Sequence, residues 1–262
     1  MAGSSASYRG GSGAPLLLLH SGFHTWVEFR TLITELEPHH DVLAVTLPGS
    51  DGGPLLELRG ETMLTRFAEH VEGALDDAGW TEPIAIVGSS FGGVTAIELA
   101  ARGRARNVVA LAPPWTAGAG LAFYGAAFAT PLAALRITEP LHGVLARSGR
   151  ISGLLHHGSL RPPEIESEDV RALWRSVGRF PFWRVGLESR SAGPGMPDCQ
   201  RATCPVTLVW GTADRLVPGW MRTRWEQALP DARVEVLQGF PHQPHLRDPK
   251  RVATLILEAS AE

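Results

Sequence analysis

The chain has 262 residues, of which 44% are hydrophobic and 19% charged, with a formal net charge of −3. That length and apolar fraction suffice for one large core, so a single α/β domain carrying an insertion is expected rather than two independent domains. A mildly acidic balance without a basic stripe argues against nucleic acid or an anionic membrane as partner. Met1 to Gly13 is small and polar and lacks the basic and then apolar regions of a secretory signal. The apolar region from Ala110 to Leu135 is long enough to span a bilayer, but Pro113, Pro114, Gly118, Gly120, Gly125 and Pro131 interrupt it. A soluble, cytoplasmic protein is the expectation. Cys199 and Cys204 fit no metal-ligand pattern and are read as free thiols in a reducing compartment.

Ala6 to Arg9 reads as a short edge strand before the Gly10-Gly-Ser-Gly13 turn. Pro15 to His20 is continuously apolar up to its last residue, as a central parallel strand buried on both faces should be. A helix is predicted from about Thr25 to Glu37, and a strand over Val42 to Leu47. Glu61 to Ala78 carries Met63, Phe67, Val71 and Leu75 on one stripe and reads as an amphipathic helix. Ile84 to Val87 is the next buried strand, Phe91 to Arg102 a helix, and Asn107 to Ala112 another strand. Strands alternating with helices in this way predict right-handed βαβ crossovers and a doubly wound, mostly parallel sheet.

The alternation breaks at Pro113-Pro114-Trp115, and no buried strand is predicted again until Val206 to Trp210. A block that long cannot be a plain loop. It is read as a helical cap over residues 115–203, inserted into a core made of 1–114 and 204–262. The cap is expected at the carboxyl edge of the sheet, where open α/β sheets bind ligands. A helix near Pro218 to Leu229, a strand over Arg233 to Leu237 and a closing helix from Asp248 to about Ala259 complete the core.

Chemistry concentrates at three strand ends. Gly88-Ser89-Ser90-Phe91-Gly92 has the G-x-S-x-G form of a strand-to-helix nucleophile elbow. The turn must be so sharp that its flanking residues lack bulk, and it lifts the Ser90 hydroxyl clear of the sheet. A serine hydroxyl is a poor nucleophile until a base takes its proton, and a carboxylate best orients that base. Asp214 lies just past the strand Val206 to Trp210, and His242 follows the strand Arg233 to Leu237. The chain order Ser90, Asp214, His242 is that of α/β-hydrolases and differs from other serine-triad folds. His245, three residues on, competes with His242 for the role of base.

Four motifs in order, His20-Ser-Gly-Phe23, Gly88-Ser-Ser-Phe-Gly-Gly93, Gly211-Thr-Ala-Asp214 and His242-Gln-Pro-His-Leu-Arg-Asp-Pro249, give a chain that resembles the α/β-hydrolase superfamily. The likeness is to its capped esterase, lipase and C–C hydrolase branch and covers nearly all of the chain except the cap. It implies Ser90 as nucleophile, His242 as general base and acid, and Asp214 as its orienter. It also implies an oxyanion hole made by the backbone N–H groups of Gly22 and Phe91. The resemblance departs at Ser21, where the family usually has glycine, and at Pro48 to Gly53, which lacks a histidine often found there. The short amino terminus predicts a sheet reduced by about one strand. Ser90 at the elbow excludes a nucleophilic aspartate of the kind used by haloalkane dehalogenases and epoxide hydrolases.

Weaker expectations concern the substrate. His24 and Trp115 are candidate substrate contacts, and the aromatics of 115–203 together favour an apolar pocket. His20 is expected to brace the oxyanion loop, and Arg171, Arg175, Arg179 and Arg184 to form a solvated face. The functional expectation is a cofactor-independent, metal-free serine hydrolase of a small apolar ester, of carboxylesterase or lactonase type, working through an acyl-enzyme. A C–C bond hydrolase, thioesterase or acyltransferase stays open as the alternative, and so does a non-catalytic ligand receptor on the same scaffold. The oligomeric state is open.

Overall fold

The protein is described by a computed structural model that covers residues 6–120, 175–176 and 195–261. Seven strands form one sheet: β1 (Ser7–Gly11), β2 (Ala14–Leu19), β3 (His40–Val45), β4 (Ile84–Ser89), β5 (Ala105–Leu111), β6 (Val206–Gly211) and β7 (Arg233–Leu237). Their order is β1-β3-β2-β4-β5-β6-β7. Every pairing is parallel except that of β1 with β3. The described helices are α1 (Arg30–Leu36), α2 (Met63–Asp77), α3 (Phe91–Ala101), α4 (Gly219–Ala228), α5 (Pro244–Arg247) and α6 (Pro249–Ala261). This is the α/β fold expected from the alternation of elements.

The continuous apolar strands follow from burial on both faces. In β2, Leu17 and Leu19 enter one core with Phe67, Val71, Leu75, Ile97 and Trp225, while Leu16 and Leu18 enter a second with Phe29, Leu32, Leu36, Val252 and Ile256. The first core is roofed by α2, α3 and α4 and the second by α1 and α6. An alternating pattern would have exposed one of these faces.

Local departures have local causes. The single helix predicted from Thr25 begins instead as a 3-10 turn, Trp26–Phe29, capped by the Thr25 hydroxyl, and becomes α-helical only at Arg30. The edge strand runs on to Gly11 because its ladder with β3 continues from Ser7 opposite Val45 to Gly11 opposite Asp41. The Gly49 to Pro54 loop holds Asp51 nearly buried, its carboxylate 2.6 Å from the Arg175 guanidinium and its N–H donating to the Ser176 hydroxyl at 2.8 Å. Arg175 is therefore an ion-pair partner of the core rather than part of a purely solvated face. The remaining arginines of that series, His156, His157 and the aromatics between Trp115 and Trp183 lie outside the described residues.

Candidate active site

The elbow is built by backbone against backbone. Ser90 sits between β4 and α3 with φ 52° and ψ −118°, a left-handed conformation that costs a non-glycine residue on the order of 1–3 kcal/mol. The surrounding structure enforces it. A Cβ on Gly88 would lie 2.1 Å from the Gly92 carbonyl oxygen, and one on Gly92 would lie 2.0 Å from that of Leu19. Only hydrogen fits at either position, which is the steric reason for the glycines of the motif. Ser90 N–H donates to Leu111 O at 2.8 Å, and the Ser90 carbonyl receives the Gly93 and Val94 amides. As the first helical residue, Phe91 has an N–H with no partner inside its helix, at the end where the helix dipole is positive.

The loop after β2 lies directly opposite. A Cβ on Gly22 would lie 3.0 Å from the Phe91 ring, so the two expected oxyanion donors are neighbours. Ser21, the departure from the family pattern, has its N–H donated to Glu28 Oε2 at 2.8 Å. That amide is engaged within the protein. Phe23 follows with φ 65°.

The Asp214 loop is held by Trp210 Nε1–H donating to Val217 O at 3.2 Å and by the Ala213 amide donating to Phe240 O at 2.9 Å. The second of these ties it to the chain leading to His242. Asp214 Oδ1 accepts the Leu216 and Val217 amides at 2.8 and 2.9 Å, and Oδ2 meets His242 Nδ1 at 2.8 Å. Both side chains are almost wholly buried. A carboxylate can only accept, so Nδ1 carries the proton and Nε2 is left with its lone pair. His245, the rival base, is turned away: its Nε2 lies 2.9 Å from Glu28 Oε1, an ion-pair contact too bent to count as a full hydrogen bond, and its ring packs 4.9 Å from Phe29.

His20 braces the loop as expected. Leu47 N–H donates to its Nε2 at 2.8 Å, which fixes the proton on Nδ1, 2.6 Å from the Ser21 carbonyl that accepts it. Burial is the main cause that pushes its pKa down, to about 4, against a smaller upward pull from Glu28. A folded value below the unfolded one of about 6.5 means that the unfolded chain takes up a proton that the fold refuses. Stability from this group is thus complete above about pH 6.5 and falls as the pH drops toward 4. Between pH 7 and pH 4.5 urea unfolding is expected to lose roughly 2 kcal/mol more for the wild type than for His20→Gln. Parallel losses in the two proteins would refute this.

His24 and Trp115, the candidate substrate contacts, each have protein partners. His24 Nε2 is 3.3 Å from Gln243 Nε2, and its Nδ1 is 3.8 Å from Glu28. Burial lowers its pKa. Trp115 packs edge-on against Trp225 at 5.2 Å, with its N–H on Met221 Sδ. The cluster that sequence reading missed is centred on Glu28, in the 3-10 turn that precedes α1. Among the described residues, no group of three or more His, Cys, Asp or Glu could hold a metal ion. Cys199 and Cys204 are free thiols.

With this geometry, the chain belongs to the alpha/beta hydrolase family, whose sequence model it matches over residues 16–255. Hydrolytic chemistry follows at the level of that family. An epoxide hydrolase of Mycobacterium tuberculosis, EphH, is 32% identical over 198 residues, 72% of this chain and 91% of the relative. Among solved structures, the esterase RhEst1 from Rhodococcus sp. superposes with a TM-score of 0.72 at 21% identity, covering 98% of this chain and 94% of that one. An enol-lactonase from Burkholderia xenovorans gives 0.71 at 18% identity, covering 98% and 96%. At those identities the superpositions show the fold alone. No helix among the described residues is long and apolar enough to cross a membrane.

Proposed function

We propose that the protein is a serine hydrolase of small, apolar carboxylic esters, with Ser90 as nucleophile, His242 as general base and acid, and Asp214 as its orienter. The observation that carries this reading is the Asp214–His242 pair, 2.8 Å apart and buried, on the loops after β6 and β7, whose carboxyl ends share a sheet edge with the strained Ser90 turn. His242 Nε2 takes the Ser90 proton as the hydroxyl oxygen attacks the ester carbonyl. The Gly22 and Phe91 amides bind the tetrahedral oxyanion, each such donor being worth roughly 2.7–4 kcal/mol. The imidazolium, steadied by Asp214, gives its proton to the leaving alcohol, and water then repeats the sequence on the acyl-enzyme. Residues 115–203 form the cap over this site in the same reading, with Trp115 and His24 at the substrate. No cofactor enters these steps.

The epoxide-hydrolase relative favours a second reading, in which the substrate is an epoxide. Chemistry weighs against it. Opening an epoxide with a serine would leave an ether, which has no carbonyl for water to attack, whereas an aspartyl ester would have one. The test is a fluorophosphonate probe with peptide mapping, followed by p-nitrophenyl esters of rising acyl length beside styrene oxide. Labelling on Ser90 with ester turnover is the expected result. Turnover of the epoxide by an unlabelled protein would overturn the proposal.

A further inference from the structure

Glu28 is a carboxylate with no exposed surface, and three chain segments converge on it. From the loop after β2, Ser21 gives Glu28 both its N–H, at 2.8 Å to Oε2, and its Oγ–H, at 2.7 Å to Oε1. From the loop after β7, Gln243 Nε2 donates to Oε1 at 3.3 Å, and His245 Nε2 stands 2.9 Å from the same oxygen. From the elbow, the Ser89 hydroxyl reaches Glu28 through Ser21 Oγ at 2.9 Å. Because Ser21 Oγ spends its proton on Glu28, it accepts from Ser89 and from Gln243, whose Nε2 is 3.3 Å away. The hydroxyl is then fully used: one bond donated and two accepted.

These three segments carry Gly22, Ser90 and His242, each one residue from a group in the network. Burying a lone carboxylate is costly, and such a charge survives only when donors surround it. Burial, the largest influence, pushes the Glu28 pKa up, but His24, His245 and His20 together pull it below the usual carboxylate range, so it stays an anion. The local chain does not demand a charge here. Thr25-x-x-Glu28 has the capping-box spacing, in which the glutamate would bond back to the Thr25 amide, yet both carboxylate oxygens are instead directed to Ser21. The strained Phe23, φ 65°, lies two residues beyond the Ser21 amide that Glu28 grips.

We infer that Glu28 is a positioning residue that locks the elbow, the oxyanion loop and the His242 loop in register, so that its charge sets how well the site binds the tetrahedral oxyanion. This rests on the Ser90–His242 reading above. The network supplies no atom to the reaction. It fixes where the Gly22 amide and the His242 ring stand before substrate arrives, and a displacement of about 1 Å in such groups can cost on the order of a hundredfold.

The test compares wild type, Glu28→Gln, Glu28→Asp, Ser21→Ala and Ser90→Ala. Three quantities are read for each: kcat and KM on one p-nitrophenyl ester, the second-order rate of fluorophosphonate labelling, and the Kd of phenylboronic acid. The tetrahedral boronate adduct puts an oxygen where the oxyanion forms. Glu28→Gln is expected to lower kcat about 10- to 100-fold with KM changed little, to slow labelling alike, and to weaken the boronate by a similar factor. Glu28→Asp, which keeps the charge, should recover part of the loss, and Ser21→Ala should lose about 3- to 10-fold. A merely structural glutamate would lower the melting temperature and leave the boronate affinity of the folded protein unchanged. If Glu28→Gln does not fold, Ser21→Ala alone reads the same coupling of kcat to boronate affinity. Wild-type kinetics and boronate binding in the folded variants overturn the role of Glu28 while leaving Ser90 standing, provided Ser90→Ala is not labelled. Labelling that persists in Ser90→Ala overturns both.

Discussion

Ser90→Ala is expected to lower kcat on p-nitrophenyl esters about 10⁶-fold and to abolish fluorophosphonate labelling, while the protein stays as stable as the wild type. The two halves of that expectation have separate grounds. The activity loss follows because no other hydroxyl stands at the tip of the strained turn; Ser89, its neighbour, is buried in the network with Ser21. The unchanged stability follows because the Ser90 side chain makes no capping bond to α3, so truncation removes the proposed nucleophile and leaves the backbone hydrogen bonds intact. Rates above the uncatalysed reaction would persist from the oxyanion donors alone. A melting curve beside a progress curve checks both halves at once, and a variant retaining a few per cent of the activity would falsify the assignment.

Asp214→Asn should cost about 10⁴-fold in kcat with little loss of stability, and the hydrogen bonds say why. Two backbone amides, of Leu216 and Val217, point at Oδ1. Asparagine can satisfy them only by placing its oxygen there, which turns its NH₂ group toward His242. Facing a donor, Nδ1 must accept, so the imidazole proton moves to Nε2. The ring is then a donor where the Ser90 proton has to be taken. The loss is one of tautomer rather than of position, so Asp214→Asn should crystallise with an unmoved ring and react with the probe at a rate reduced in step with kcat. A normal labelling rate would mean that the orienting carboxylate lies elsewhere.

The parts of this molecule that were readable in the sequence are those in which a short stretch contains its own reason. Leu16 to Leu19 is apolar throughout because both faces of β2 are covered, and Gly88 and Gly92 flank Ser90 because two carbonyl oxygens leave no room for a Cβ. The placement of Ser90, Asp214 and His242 after β4, β6 and β7 was readable for the same reason, since each of those strands announces itself. What was not readable depended on partners far along the chain. Glu28 meets Gln243 and His245 from 215 and more positions away, and its spacing from Thr25 suggests a local capping task that it does not perform. His242 and His245 look nearly alike as letters. They are told apart by which carboxylate each ring meets, Asp214 or Glu28. The short helix α5 was missed because four residues, the first of them Pro244, carry too little periodicity to register. Arg175 is exposed, as a solvated arginine should be, but its ion pair was not readable because its partner, Asp51, is 124 positions distant.

The contact of Gly92 with the Leu19 carbonyl bears on what the joint can tolerate. A joint closed by main chain on main chain offers no neighbouring side chain to trim, so a Cβ added at Gly92 could be relieved only by moving the backbone of β2. Room for change near Ser90 is then left to the side chains of the surrounding loops rather than to the turn itself.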